Sequence, residues 1–140
     1  MAVRVQNPNP ARIIQWHVKA GGVYADQLVK DDTGAAPVAA AHTGATLLGV
    51  AMETQLTTDG IVRIYPLQGT VLEIDYRPGT TKTTFEVTDL GLQYDMYVSS
   101  NVMTVDPDDT TGGYLILIGY DNDAKKGYFA VEAADCLMNI

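Results

Sequence analysis

The hardest constraint on this chain is its rhythm: apolar side chains recur at every second residue in short runs, and a turn stops each run. In residues 70–76, Leu72, Ile74 and Tyr76 fall on one side and Glu73 and Asp75 on the other, the period-two pattern of a half-buried strand. Residues 60–65 alternate in the same way. Residues 46–52 and 114–118 are apolar at nearly every position, which predicts strands covered on both faces. Shorter candidates lie at 13–18, 27–30, 84–87, 97–105 and 128–133. Between the runs stand Gly21-Gly22, Asp31-Asp32-Thr33-Gly34, Asp59-Gly60, Arg77-Pro78-Gly79 and Gly112-Gly113, residue types that supply the positive or locked φ of tight turns. Only 35–42 and 132–138 have room for a helical turn, and Pro37 argues against the first. The expectation is an all-β fold, a small β-barrel or sandwich of short antiparallel strands.

A chain of 140 residues has room for one domain and not for a second. One segment stands apart from the alternating pattern. Residues 1–12 hold Pro8 and Pro10 flanked by asparagines, which removes two backbone donors and biases the preceding residues to extended conformations. The division expected is therefore an extended N-terminal arm, 1–12, and a single β domain, 13–140. The arm would order on a neighbouring molecule, and removing it would leave the fold intact.

Composition narrows the partners. Nine Lys and Arg face seventeen Asp and Glu for a net charge of −8, which argues against nucleic acid, whose phosphates are bound by Lys and Arg that displace counterions. No apolar run reaches the roughly 18 residues of a membrane span, and the first residues lack a signal-peptide pattern, so neither a membrane nor export is expected. Charge is also uneven: residues 1–70 are neutral, and the whole −8 lies in residues 71–140, where twelve acids meet four bases. A neutral surface from the first half would then face a partner, with Asp106, Asp108, Asp109, Asp121 and Asp123 pointing outward to solvent.

Catalytic patterns are missing. His17 and His42 lie in unrelated segments, and Cys136 is the single cysteine in an apolar tail, so no metal-ligand spacing and no disulfide framework can be written. Phosphate loops, dinucleotide fingerprints and the nucleophile elbow are likewise absent. Residues 121–132 place acids at the first, third and twelfth positions of a calcium loop, but Lys126 stands where that loop needs glycine; a hairpin turn is the expectation. Asp106, Asp108 and Asp109 read as an ordinary acidic turn. Glu53, Glu73 and Glu86 remain candidates to converge as a carboxylate pair. No catalytic residue, metal or cofactor is assigned.

The runs Leu48-Gly49-Val50-Ala51, then Gly60-Ile61-Val62-Arg63-Ile64-Tyr65, then Ile118-Gly119-Tyr120, behind an extended proline-containing arm, resemble the head decoration (capsid cement) proteins of tailed bacteriophages over roughly residues 13–133. The resemblance implies a small β-barrel on the capsid exterior, commonly a homotrimer at local three-fold positions, that clamps neighbouring major capsid subunits and carries no catalytic residues. Pro8 and Pro10 match the style of the family's arm. Arg4, Val5, Arg12 and Trp16 are added as contact candidates, since arginines and tryptophan are the side chains that most often anchor interfaces. Two alternatives stay open: another structural β-module, of a phage tail, a baseplate or a bacterial scaffold, and a small hydrolase whose carboxylates meet only in the fold.

Overall fold

In the computed structural model, residues 3–38, 46–77, 79, 81–110 and 113–137 are described. Pro78, Gly112 and the whole second half of the 35–42 segment, His42 included, lie outside them. Among the described residues, twelve strands form two five-stranded sheets and a hairpin, every ladder antiparallel. The all-β expectation holds, and the only helical pieces among the described residues are three short 3₁₀ turns.

The first sheet runs in the order β1 (Val3–Val5), β7 (Leu72–Asp75), β12 (Lys126–Val131), β11 (Leu115–Asp121), β8 (Gln93–Tyr94). The second runs β2 (Ile14–His17), β6 (Ile61–Pro66), β5 (Leu47–Ala51), β3 (Leu28–Asp31), β4 (Ala35–Pro37). The hairpin pairs β9 (Met96–Ser99) with β10 (Val102–Val105). Its two-residue turn is Ser100 and Asn101, both at positive φ (49° and 67°), the type I′ geometry whose twist suits paired strands.

Two cores follow from this arrangement. Inward side chains of both sheets, among them Val3, Leu28, Leu47, Val50, Leu72, Ile74, Leu115, Leu117 and Phe129, form the larger one, with Met96, Met103 and Val105 of the hairpin. Each such residue taken from water contributes about 1.5–3 kcal/mol. The smaller core lies on the opposite side of the second sheet, where all five strands contribute to one cluster: Val18 directly after β2, Val29, Ala35, Leu48, Ala51, Val62 and Ile64, with Ile14 and Trp16 against it. The sheet is rolled around that cluster. Its edges meet at a parallel bridge between Val18 and Ala35, where Lys19 N–H donates to the Ala35 carbonyl at 3.0 Å; this single join leaves the roll short of a closed barrel.

Strand β5 sits between the cores and is buried at all five positions. A bulge makes this possible. Leu28 pairs with Val50 and Lys30 with Leu47, so β5 spends one extra residue there; Leu47 and Val50 both reach the larger core while Leu48 and Ala51 serve the smaller. Gly49 is required beside it, because a Cβ there would run into the Tyr65 carbonyl oxygen of β6.

Several sequence expectations are corrected. The boundary at residue 12 is not a structural one: Val3–Val5 is an edge strand of the protein's own first sheet, with Val3 fully buried, because the prolines that oppose pairing begin only at Pro8. Residues 84–87 are not a strand; Phe85 is instead pinned in the larger core and a 3₁₀ turn follows at Val87–Asp89. Residues 35–37 pair as β4 and form no helical turn. Residues 97–105 are two strands and not one. Residues 114–118 are fully covered on one face only; on the other, Tyr114 is buried, Ile116 half-buried and Ile118 49% exposed.

Candidate interaction surface

On the outer face of the first sheet, antiparallel register places Arg4 opposite Glu73 and Glu73 opposite Tyr128. Arg4 Nε donates to Glu73 Oε1 at 3.0 Å and an Nη reaches Asp75 at 2.6 Å. Lys126 Nζ lies 2.6 Å from the same Glu73 oxygen, and Gln6 Nε2 donates to the other at 2.7 Å. The Lys126 hydrogen bond, helped by Arg4 and opposed by partial burial, holds the Glu73 carboxyl below the usual carboxylate range. This network locks β1 to its neighbours.

After β1 the chain crosses to the second sheet through a strap, residues 7–12. Asn7 turns at positive φ (50°), and Asn9 caps the 3₁₀ turn Pro10–Arg12 by accepting from Ala11 N–H. The backbone N–H of Asn9 donates to the Tyr65 hydroxyl at 2.6 Å. Arg12 donates to Thr70 Oγ1 at 3.0 Å and to the Gln68 carbonyl, with its guanidinium 5.6 Å from the Tyr65 ring centroid. Pro8 and Pro10 are left exposed on the outside of this anchored loop.

The six sequence candidates therefore divide. Arg4 and Arg12 hold the N-terminal segment to its own sheets, Val5 packs half-buried on the larger core, and the Trp16 indole packs on the smaller core while its N–H donates to Asp31 Oδ1 at 3.1 Å. Their interface-prone chemistry is used inside the molecule. Pro8 and Pro10 are the two that face outward.

Of the loop aspartates expected to face solvent, Asp108, Asp109, Asp121 and Asp123 are exposed and Asp106 is half-buried, and several of them also brace their own loops. Both Asp108 carboxylate oxygens turn back to the 79–82 segment, accepting from Thr81 N–H and Lys82 N–H at 2.8 Å each. Asp106 Oδ1 accepts from Asp108 N–H at 2.9 Å. Asp121 Oδ1 accepts from the N–H groups of Asp123 and Ala124, which makes 121–125 the hairpin turn the sequence indicates. Glu53, Glu73 and Glu86 do not converge: each pairs with a different cation, Arg63, Arg4 with Lys126, and Lys82 respectively. Cys136 is buried, and burial pushes its thiol up. Among the described residues no cavity opens.

A second surface was missed by sequence reading. The outer edge of the first sheet is β8, flanked by Val87, Leu90, Leu92 and Ile118, which are 73%, 43%, 42% and 49% exposed. Backbone bonds join these segments: Gly91 N–H donates to the Leu117 carbonyl at 2.8 Å, and Leu117 N–H to the Leu92 carbonyl at 3.1 Å. The available signal was the alternation Leu90, Leu92 beside the apolar run 115–118, which reads as core unless the bulge between Leu117 and Gly119 is known.

No protein-family model matches the chain, and no curated protein matches it.

Proposed function

We propose that this protein is a structural subunit that decorates the exterior of a tailed-bacteriophage head and stabilises it by clamping neighbouring major capsid subunits, without catalysis or cofactor. The observation that carries the reading is the strap: residues 7–12 are held at Tyr65, Gln68 and Thr70 while Pro8 and Pro10 face outward. Such a loop has little conformational freedom left to lose, so docking it on a shell costs little ordering entropy. The strap also joins the two sheets, so a pull on it is shared by both. The glycine-bounded strands around Gly49, Gly60 and Gly119 agree with the same family. Assembly as a homotrimer belongs to this reading.

Immunogold electron microscopy of phage particles produced with the gene tests it. Regular labelling of head exteriors is the expected result; labelling of tails or baseplates, or of none of the particles, overturns it. Light scattering of the purified protein tests the trimer separately, and a stable monomer refutes that part.

A further inference from the structure

We infer that the β8 edge of the first sheet is a strand-addition site for an extended partner segment that carries apolar and basic side chains in alternation. It goes beyond the capsid reading and holds for any partner of that chemistry.

Three observations carry it. First, the edge is open: β8 is the last strand in its sheet and no strand among the described residues lies beyond it. The carbonyl of Leu92 is bonded to Leu117, and Tyr94 pairs with Leu115. Alternation along an antiparallel ladder therefore turns the peptide groups of Gln93 outward, where they can serve an added strand. Second, the edge is apolar where a protected edge would be charged. Val87, Leu90, Leu92 and Ile118 are all more than two-fifths exposed, and proteins normally guard open edges with lysine, proline or a covering element.

Third, the surroundings select for positive charge. Residues 83–124, which include β8 and all of β11, contain eight acids and no Lys or Arg, and the next bases, Lys125 and Lys126, stand in the β11–β12 turn and at the start of β12. At the edge itself, Glu86 keeps its side chain 68% exposed, and Glu132 is exposed and accepts from Gln93 Nε2 at 2.7 Å. Lys82, the cation beside Glu86, is itself engaged by Asp89 at 2.8 Å. An acidic segment would be repelled here, and a basic one attracted.

The probe is a short synthetic peptide alternating valine and lysine, titrated into the full-length protein and followed by amide NMR shifts. Shifts centred on residues 90–94 and Ile118 are expected. Binding should weaken about tenfold or more at roughly molar NaCl, where the Debye length is only about 3 Å. Gln93→Pro, which removes the outward donor, and Ile118→Lys, which adds a like charge on an exposed site, should each abolish those shifts while the rest of the spectrum stays folded. Absence of shifts at 90–94, shifts centred on β1, or equal binding by a valine–glutamate peptide overturns the inference. Concentration-dependent shifts at the same residues without peptide would assign the edge to a second copy of this chain and overturn it equally.

Discussion

The side-chain amide of Asn122 pairs with the backbone of Phe85 as a neighbouring strand would: Phe85 N–H donates to Asn122 Oδ1 at 3.1 Å, and Asn122 Nδ2 donates to the Phe85 carbonyl at 3.0 Å. The Tyr76 hydroxyl donates to the same Oδ1 at 2.9 Å. One side chain in the β11–β12 turn thus fixes the long 76–92 excursion and aims Phe85 into the core, where its ring lies 4.8 Å from Tyr76 and 5.4 Å from Tyr94. Asn122→Ala leaves three polar groups without this partner and should cost roughly 2–4 kcal/mol. Urea denaturation measures it, and a loss below about 0.5 kcal/mol would mean that the excursion is held elsewhere.

Val3 and the two strap prolines should separate in their effects. Val3 is fully buried in the larger core, so Val3→Ala should cost about 1.5–3 kcal/mol through lost burial and the cavity left behind. Pro8→Ala and Pro10→Ala lie on exposed positions and should each change stability by less than about 1 kcal/mol. In the proposed decoration role they should weaken attachment to heads. That attachment should also survive high salt, since the strap presents uncharged prolines. Thermal melts and sedimentation with particles test the two effects independently.

Acid should unlock the outer face of the first sheet. The Glu73 carboxyl is held below its ordinary pKa, chiefly by Lys126, so the folded state binds its proton less tightly than the unfolded chain does. The stabilisation is present above the ordinary carboxylate pKa and is lost as pH falls through the lower folded value. Glu73→Gln should therefore destabilise by about 1–2 kcal/mol at neutral pH, and the difference from the parent should shrink towards acid. A difference independent of pH would show that the network acts through packing and not charge.

Alkali should act through Tyr94. Burial, reinforced by the Asp89 charge, pushes this phenol from 10.0 up to about 12, so the folded state favours the protonated form. That contribution is intact below the unfolded pKa and is lost as pH rises from about 10 through about 12. The Tyr94 hydroxyl has no hydrogen-bond partner among the described residues. Tyr94→Phe should accordingly be neutral or slightly stabilising at pH 7 and should flatten the alkaline loss measured by denaturation at stepped pH. A clear loss at pH 7 would reveal a partner for the hydroxyl.

Much of the fold was legible because the strand signal is local. The alternation of Leu72, Ile74 and Tyr76 against Glu73 and Asp75, the apolar run around Gly49, and the turn chemistry at Asp59-Gly60 and Asp121–Lys125 each depend on neighbours in sequence, and β7, β5, β6 and the β11–β12 hairpin follow from them. What sequence could not decide is which polar and aromatic side chains the fold would consume. Arg4 and Trp16 carry the chemistry of contact residues, but their partners, Glu73 with Asp75 and Asp31, come from strands that only tertiary pairing brings beside them. Val3–Val5 is too short for a periodic signal and becomes a strand because β7 offers it an edge. Leu92 and Ile118 look like core by hydropathy and are exposed because β8 ends the sheet and β11 bulges beside it. Local chemistry determined most of the longer strands and the turns between them; short edge strands such as Val3–Val5 and the identity of the open edges were settled by long-range pairing, which no window of neighbouring residues contains.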